Sequence, residues 1–284
     1  MPFDPSALPD PSYDLEPLVA LLHGKRVMLL AGAGCSTESG IPDYRGPETK
    51  KKKRNPIQYL PFVRKEEVRA RYWARSAVGW PKFRLAEHNA THSALAALEH
   101  AGLANGLVTQ NVDGLHQRSG SSAVVELHGA LGRVVCLQCL QRTSRDDLQR
   151  RLREMNPDWP IWSSDYAPDG DADLGKVDYT TFSVPDCSCG GILKPDVVFF
   201  GENVPKPRVQ LAWDMLDEAD ALLVVGSSLT VWSGYRFVRK AAALGKPVAI
   251  VGLGETRGDT EATLLLQARC GRALPELVDR LRGR

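Results

Sequence analysis

The amino-acid sequence predicts an α/β protein built on a Rossmann-like parallel sheet with helices on both faces. Short apolar runs of strand length recur along the chain, and most lack the polar alternation of a half-exposed strand. Segments with a helical period of apolar residues lie between these runs. A glycine-containing segment, residues 32–45, begins where the first run ends, which is the usual position of a ligand-binding loop in such a sheet.

The predicted elements alternate from the N-terminal end onward. The strand-like runs lie at residues 27–31, 106–109, 124–127, 197–200, 221–225 and 247–251. The helical patterns lie at residues 64–80, 91–101, 209–219 and 235–244. Because strands that alternate with helices pair in parallel and place the helices on the two sheet faces, this order favours a sheet that is covered on both sides.

The composition limits the possible functions. The 284 residues are 43% hydrophobic and 25% charged, which is ordinary for a soluble globular protein. The net charge of +2 gives no reason to expect nucleic acid or membrane partners, and we interpret the basic run at residues 50–54 as a solvated loop. No apolar run approaches the ~18 residues of a membrane span, and no targeting peptide is recognisable. We therefore expect a cytoplasmic protein.

The segment GAGCSTESGIPDYR at residues 32–45 predicts a binding site for a phosphorylated ligand. Gly32 and Gly34 would let the backbone approach a pyrophosphate closely. Ser36 and Thr37 could cap a short helix whose N–H groups face the anion. The segment departs from the dinucleotide fingerprint GxGxxG, because the third glycine is missing at position 37. It also carries more polar side chains than a phosphate loop needs.

Four of the six cysteines form two close pairs, which indicates a metal site. Cys136 and Cys139 have the spacing that lets two thiolates bind one tetrahedral zinc ion. Cys187 and Cys189 are one residue closer together, and the two glycines that follow them could permit the tighter turn. A four-cysteine site would be structural. A displaced fourth ligand and a metal-free loop remain as alternatives.

Polar side chains follow two of the predicted strands at the point where each strand ends. Gln110, Asn111 and Asp113 follow the run at 106–109, and His128 follows the run at 124–127. Because the carboxyl ends of parallel strands meet at one edge of a sheet, these groups should lie near the glycine-containing segment. An imidazole, a carboxylate and two amides at this edge predict a catalytic site.

Taken together, these segments resemble the sirtuins, the NAD-consuming protein-lysine deacylases. The matching motifs follow the order and spacing of that family: GAGCSTESGIPDYR at 32–45, TQNVDGLH at 109–116, LHG at 127–129, the two cysteine pairs, LKPDVVFFGENVP at 193–205 and GSSLTV at 226–231. RARYWARSAVGWPKF at 69–83 is similar to the cofactor-side helix of class II sirtuins, which include the mitochondrial lipoamidase and ADP-ribosyltransferase type.

The resemblance implies NAD-dependent removal of acyl groups from protein lysines, with NAD as co-substrate and one structural zinc ion held by Cys136, Cys139, Cys187 and Cys189. The products would be nicotinamide, the deacylated lysine and 2′-O-acyl-ADP-ribose. His128 would be the general base, because the unperturbed pKa of imidazole lies near working pH. Asn111 and Asp113 would engage the ribose and the carboxamide of nicotinamide.

The resemblance also implies the residues around each substrate. Gly252 stands where sirtuins commonly carry an asparagine that contacts the adenine-side ribose. The expected NAD contacts are Gly32, Ala33, Gly34, Thr37, Ile41, Asp43, Tyr44, Arg45, Gln110, Asn111, Asp113, His128, Gly226, Ser227, Ser228, Gly252, Leu253 and Cys270. Cys35, also in the loop, is expected to be a small buried filler.

The acylated lysine should be bound as part of an extended strand that pairs with the main chain of two flanking segments. The expected contacts are Val197, Phe199, Phe200, Gly201, Glu202, Leu229 and Val231, with an apolar acyl tunnel near residues 197–199. Tyr72 and Arg75 have helical i, i+3 spacing and are a minor candidate for binding an acidic acyl group. The oligomeric state is open, and we expect a monomer.

The domain organisation follows from the same pattern. We expect a Rossmann-like NAD-binding domain from residues 1–132 and 196–284, with a helical insertion at about 46–90, and a zinc-binding module at 133–195. Two other functions stay open. Protein mono-ADP-ribosyl transfer or lipoamidase activity could occur on the same scaffold, and a non-catalytic NAD-binding module would need no turnover at all.

Overall fold

Six parallel strands form the main sheet of the protein. The computed structural model describes residues 11–43, 56–159, 172 and 177–283. The strands in this part of the chain are β1 Val27–Ala31, β2 Ala104–Thr109, β3 Val124–Glu126, β4 Gly129–Cys136, β5 Arg142–Ser144, β6 Leu193–Val197, β7 Ala221–Val225, β8 Val248–Gly252 and β9 Leu264–Gln267. The main sheet has the order β3-β2-β1-β7-β8-β9, and each pair of neighbouring strands in it is parallel.

Helices cover both faces of this sheet. The helices of the described residues are α1 Glu16–Leu22, α2 Tyr59–Arg64, α3 Glu66–Phe83, α4 Ala90–His100, α5 Leu115–Arg118, α6 Arg145–Met155, α7 Lys206–Glu218, α8 Trp232–Ala243 and α9 Cys270–Leu281. The predicted Rossmann-like fold is therefore confirmed. Within the described ranges, no helix is both long and apolar enough to cross a membrane.

The uniformly apolar strands are explained by two separate cores. In β1, Val27, Leu29 and Ala31 pack with α1, α4 and α9 on one face. Met28 and Leu30 point the opposite way and pack with α7 and α8. Because successive side chains of a strand alternate between the two faces, a strand with a core on each side must be apolar at every position.

The chain order reverses beside β1, which pairs with β2 on one side and β7 on the other. The chain continues from β1 to β2 on one side and from β7 to β8 on the other, and a reversal of this kind places a crevice at the carboxyl ends of the strands. Every polar residue that the sequence places after β1, β2 and β7 is thereby brought to one edge.

The prediction of a sheet strand at 197–200 is wrong. The strand there is β6, which ends at Val197 and belongs to a second, three-stranded sheet of order β5-β4-β6, paired antiparallel with β4. After β6 the chain turns, since the N–H of Glu202 donates to the carbonyl oxygen of Phe199 and Gly201 adopts a positive φ of 79°. The apolar run therefore spans a strand end and a turn.

A third core holds the smaller sheet against α2, α3 and α6. Trp73 is fully buried there, and its indole N–H donates to the carbonyl oxygen of Leu193 at 3.2 Å. The guanidinium of Arg145, at the start of α6, lies between the rings of Trp73 and Trp80 at 5.4 and 5.3 Å. The helical insertion and the cysteine-bearing sheet thus share one core. The basic run at 50–54 lies outside the described residues.

Candidate active site

A cavity of about 770 Å³ opens at the carboxyl ends of the parallel strands. The loops after β1, β2, β7 and β8 form one part of its wall, and the turn after β6 forms another. Its volume is within the usual range for small-molecule and cofactor sites. The described residues that the sequence predicts as NAD contacts all line it: Gly32, Ala33, Gly34, Thr37, Ile41, Asp43, Gln110, Asn111, Asp113, His128, Gly226, Ser227, Ser228, Gly252, Leu253 and Cys270. Tyr44 and Arg45 lie outside the described residues.

The glycines of the first loop are required by packing between loops. A Cβ atom on Gly34 would lie 2.8 Å from the backbone of Gly226, and one on Gly32 would lie 2.6 Å from Cβ of Ser227. The N–H of Gly34 donates to the carbonyl oxygen of Gly226 at 2.7 Å. In the structure, glycine is required at these two positions because the loop after β1 contacts the loop after β7. This role differs from the predicted close approach to a pyrophosphate.

The predicted helix cap in this loop is not formed. The segment consists of two short 3₁₀ turns, Ala33–Cys35 and Thr37–Ser39, without a side-chain cap. The hydroxyl of Thr37 donates to the carbonyl oxygen of Gly34. Cys35 is fully buried, as predicted, with its Sγ 3.3 Å from the carbonyl oxygen of Val225.

Ser36 connects the glycine-containing loop after β1, called the glycine loop below, to the residues after β2 through hydrogen bonds. Its hydroxyl donates to Asp113 Oδ2 at 2.8 Å and accepts from Asn111 Nδ2 at 3.1 Å. Asn111 Nδ2 also donates to the carbonyl oxygen of Gly32 at 3.0 Å. Burial raises the pKa of Asp113, although the N–H of Leu115 and the Ser36 hydroxyl oppose that shift. The network fixes an amide and a carboxylate side by side on the cavity wall.

His128 has a defined tautomer. Its Nδ1 lies 2.9 Å from the carbonyl oxygen of Gln110, which can only accept, so a neutral ring must carry its proton on Nδ1. Nε2 then accepts from the hydroxyl of Ser233 at 2.7 Å. Burial, together with the charges of Arg236 and Arg208, lowers the pKa of His128 to about 4 despite the hydrogen bond to Gln110. The imidazole is therefore a neutral group whose basic nitrogen is Nε2.

The backbone on either side of His128 is also fixed. Gly129 adopts a positive φ of 84°, and a Cβ atom there would collide with the carbonyl oxygen of Asp196. The carbonyl oxygen of His128 accepts from the N–H of Val198 at 2.8 Å. The histidine thus links the end of the parallel sheet to the end of the smaller sheet.

The predicted substrate residues border the same cavity: Val197, Phe199, Phe200, Gly201, Glu202, Leu229 and Val231. Phe199 is buried and packs edge-on against Phe62 and Tyr72. Leu229 has a buried side chain and a positive φ of 54°. Its backbone can border the cavity, whereas its side chain belongs to the core.

The turn after β6 is held by a buried lysine. Lys194 Nζ lies 3.0 Å from Glu202 Oε2, and the same carboxylate oxygen accepts from the N–H of Phe199 at 2.9 Å. Burial lowers the pKa of Lys194, which its ion pair with Glu202 opposes. The carboxylate of Glu202 is therefore engaged by protein groups.

The pair of Tyr72 and Arg75 is separated. Tyr72 lines the cavity, whereas Arg75 Nε donates to the carbonyl oxygen of Ala172 at 2.7 Å and is not part of the cavity wall. The i, i+3 spacing on α3 predicts a shared face, but the two side chains diverge toward different neighbours. The candidate acid-binding pair is not formed in the structure.

The four cysteines of the two pairs converge on one point. Their sulfur atoms all lie within 4.8 Å of one another, with Cys136 to Cys189 at 3.5 Å and Cys139 to Cys187 at 3.7 Å. A tetrahedral ion with Zn–S distances near ~2.3 Å has S–S edges of about 3.8 Å. The donor set and its size fit one structural zinc ion, so the short spacing of the second pair is compatible with the site.

Ser233 and Arg236 belong to the cavity wall and are absent from the sequence-based prediction. Ser233 binds His128, and Arg236 lies one helical turn further along α8. Their i, i+3 spacing at the start of a helix that follows GSSLTV is the signal that could have identified them.

Two buried histidines should make the protein sensitive to acid. Burial lowers the pKa of His92 to about 4 and that of His116 to about 3, and their rings lie 4.8 Å apart. Below pH 6.5 the unfolded chain binds protons that the folded chain does not, so stability is complete above pH 6.5 and falls toward pH 4. We expect a loss of about 2 kcal/mol for each histidine at pH 5, measured by urea unfolding.

Single substitutions separate this effect from general acid sensitivity. His116→Phe should reduce the difference in unfolding free energy between pH 7.5 and pH 5, whereas replacement of the exposed His23 by Ala should not. Equal pH dependence in His116→Phe and the unaltered protein would contradict the assignment.

Comparison with known proteins agrees with this geometry. The family model described as "Sir2 family" matches residues 32–233. A Xanthomonas campestris protein named NAD-dependent protein deacetylase is 53% identical over 251 residues, covering 88% of this chain and 86% of the relative. A Bordetella bronchiseptica protein of the same name is 51% identical over 267 residues, with coverage of 93% and 97%.

Solved structures give the same result. A structure described as Sir2 bound to acetylated peptide superposes with a TM-score of 0.75 at 29% identity, covering 94% of this chain and 98% of the other. A second, described as Sir2 with a p53 peptide and NAD+, has a TM-score of 0.75 at 31% identity with the same coverage.

Proposed function

Because this chain belongs to the Sir2 family, we propose that it is an NAD-dependent protein deacetylase. It transfers the acyl group of an acylated protein lysine to the ADP-ribose part of NAD, and nicotinamide is released. The observation that carries the proposal is His128, a neutral imidazole with Nε2 as its basic nitrogen, on the wall of the cavity that the loop after β1 and the turn after β6 share.

The residues of the cavity fit NAD. Its wall combines the glycine-bearing loops after β1 and β7 with the polar network of Asn111, Asp113 and Ser36. When bound, NAD supplies the electrophilic ribose carbon and the ADP-ribose that accepts the acyl group. Asn111 and Asp113, which are rigidly held, orient the nicotinamide ribose and the carboxamide, with Ile41 beside them. Gln110, tied to Ser227 by its amide at 2.7 Å, orients the ribose.

His128 moves the proton in this scheme. Its Nε2 accepts the proton of a ribose hydroxyl, which displaces the Ser233 hydroxyl that binds Nε2 in the free protein. The Nδ1–H bond to Gln110 keeps the ring oriented during the transfer. The neutral state required of a base is available over the whole physiological pH range, because the pKa of His128 is about 4.

The peptide is bound as an extended strand. We propose that the turn at residues 199–202 and the loop at residues 228–231 border it on two sides, since both line the cavity. Pairing through the main chain gives affinity with little sequence preference. The apolar side chains of Val197 and Phe199 form the wall beside the acyl group.

The finer assignments are part of the proposal. Similarity of residues 69–83, within α3, to the class II helix supports membership of that group and makes lipoyl removal and ADP-ribosyl transfer the alternative activities. We propose a Rossmann-like NAD-binding domain at 1–132 and 196–284, a zinc-binding module at 133–195 and a monomeric state. A site of four zinc-binding thiolates suits a reducing compartment, which supports a cytoplasmic location.

The proposal is tested by mass spectrometry of the purified protein with NAD and peptides that carry acetyl-lysine through lipoyl-lysine. We expect acyl-ADP-ribose and nicotinamide in equal amounts, and the fastest peptide identifies the acyl class. ADP-ribose attached to protein would favour the transferase. Absence of NAD consumption with every peptide would contradict the enzyme and leave a binding module.

Gly252 provides a separate prediction for NAD affinity. It ends β8 on the cavity wall, and a Cβ atom there would lie 3.7 Å from Gly226, an ordinary contact. Gly252→Asn should restore the amide common in the family and lower the KM for NAD by about fivefold, the value of one net hydrogen bond. Gly252→Ala is the control. An unchanged KM in Gly252→Asn would show that backbone groups already fulfil this role.

A further inference from the structure

Arg236 is a cation on the wall of the active-site cavity. It lies in the first half of α8, where its Nε donates to the carbonyl oxygen of Ser233 at 3.1 Å and its guanidinium lies 5.9 Å from the ring centre of Phe237. Among the residues that the structure describes, no carboxylate lies within ion-pair distance of it, and its two terminal nitrogens have no hydrogen-bond partner.

Two other cations near the cavity form ion pairs within the protein. Arg208, whose charge also reaches His128, binds Asp196 at 3.2 Å. Lys194 binds Glu202 at 3.0 Å. Arg236 differs from both, because it is partly buried at the cavity and lacks an anion in the described part of the chain.

Burial opposes a cation at this position. It lowers the pKa of Arg236, because the charged form is less well solvated there than in water. A bound anion would offset this cost, and a planar guanidinium is well suited to a carboxylate.

We infer that Arg236 binds a carboxylate of the acylated substrate. α8 directly follows the loop at residues 228–231, and Ser233 contacts both His128 through its hydroxyl and Arg236 through its carbonyl oxygen. The group is therefore beside the reacting end of the lysine, whereas the phosphates of NAD are expected at the glycine loops. The inference rests on the proposed function. The carboxylate is either the far end of a dicarboxylic acyl chain or an acidic side chain next to the lysine.

The test compares matched peptides within each protein variant. One pair carries glutaryl-lysine and its uncharged amide, 4-carbamoylbutanoyl-lysine, between neutral residues. A second pair carries acetyl-lysine next to Asp or next to Asn. For each variant we compare kcat/KM for the charged peptide with kcat/KM for its neutral partner. An effect of Arg236→Gln that is common to both peptides cancels in this ratio. Arg239→Gln is the matched control, because Arg239 lies on the same helix, is exposed and is not part of the cavity wall.

The unaltered protein and Arg239→Gln should prefer the charged member of at least one pair by tenfold or more. In Arg236→Gln this ratio should fall to about 1, and Arg236→Lys should restore part of it. Loss of the glutaryl preference alone identifies the acyl chain, and loss of the Asp preference alone identifies the flanking side chain. A ratio that is the same in Arg236→Gln and the unaltered protein for both pairs would overturn the inference.

Failure of the proposed function is distinguished by a binding measurement. Calorimetric titration of the same peptides without NAD gives a charged-to-neutral ratio of Kd values that needs no turnover. If the protein consumes no NAD but its Kd ratio depends on Arg236, the carboxylate site stands and the deacetylase does not. If turnover occurs and neither ratio depends on Arg236, the site is wrong and the deacetylase stands.

Discussion

Replacement of His128 by Ala should abolish almost all formation of acyl-ADP-ribose while NAD still binds. The substitution removes the neutral base at the cavity, and general-base catalysis of this kind contributes about 10²- to 10⁴-fold to a rate. Most expected NAD contacts are on other loops and stay in place. We expect kcat to fall by that factor and the calorimetric Kd for NAD to change by less than about threefold.

The contacts of His128 provide the controls for this experiment. His23→Ala replaces an exposed histidine and should have no effect on turnover. Ser233→Ala removes the hydroxyl on Nε2 but leaves the bond from Nδ1 to Gln110, so it should lower kcat far less than His128→Ala. Circular dichroism should show the same helix content in all three variants. Acyl-ADP-ribose formed by folded His128→Ala at the normal rate would remove His128 from the mechanism.

Loss of the zinc ion should unfold the cysteine-bearing part of the protein. A closed four-cysteine site contributes directly to folding stability, and the apparent binding energy of such sites is of order 10 kcal/mol. Cys136 is buried and lies 3.5 Å from Cys189 across the cluster. We expect Cys136→Ser, or treatment with a strong chelator, to remove about one zinc ion per chain by elemental analysis and to lower Tm by about 10 °C or more.

A glycine beside the cluster provides a test that leaves all four ligands present. A Cβ atom on Gly191 would lie 2.6 Å from Cys136 Sγ and 2.7 Å from Cβ of Gln138, so Gly191→Ala should weaken zinc binding. Ser188→Ala is the control, since Ser188 is exposed and between two ligands. A protein that keeps its Tm after complete loss of zinc would contradict a structural role.

The local sequence was sufficient to predict the framework of the site. Five of the six strands of the parallel sheet are short apolar runs that the sequence predicted, whereas β9 was not predicted. The polar residues directly after β1, β2, β3 and β7 are close in sequence to the strands that position them. Gln110, Asn111, Asp113 and His128 could therefore be assigned to one edge, because the ends of parallel strands converge there. The metal site could be predicted in the same way, since each cysteine pair places two potential ligands within four residues.

The errors arose where a short pattern has two structural interpretations. The apolar run at 197–200 is compatible with a buried strand, but the antiparallel pairing of β6 with β4 and the turn at Gly201 decide its structure. Likewise, Tyr72 and Arg75 share a helix face by spacing, yet Tyr72 packs on Phe199 and Arg75 binds Ala172. In both cases the local sequence is compatible with more than one conformation, and contacts with residues far away in the chain determine which one forms.

The sequence by itself determined five strands of the parallel sheet, the loops that carry the proposed catalytic groups and the four clustered cysteines, because each depends on residues a few positions apart. The tertiary structure alone decided which groups complete the site. Gly34 is fixed by Gly226, and Nε2 of His128 binds Ser233, contacts across 192 and 105 positions of chain. Such contacts arise because β1 lies between β2 and β7, so that loops far apart in the sequence meet at one edge of the sheet. A local sequence pattern contains no information about these contacts.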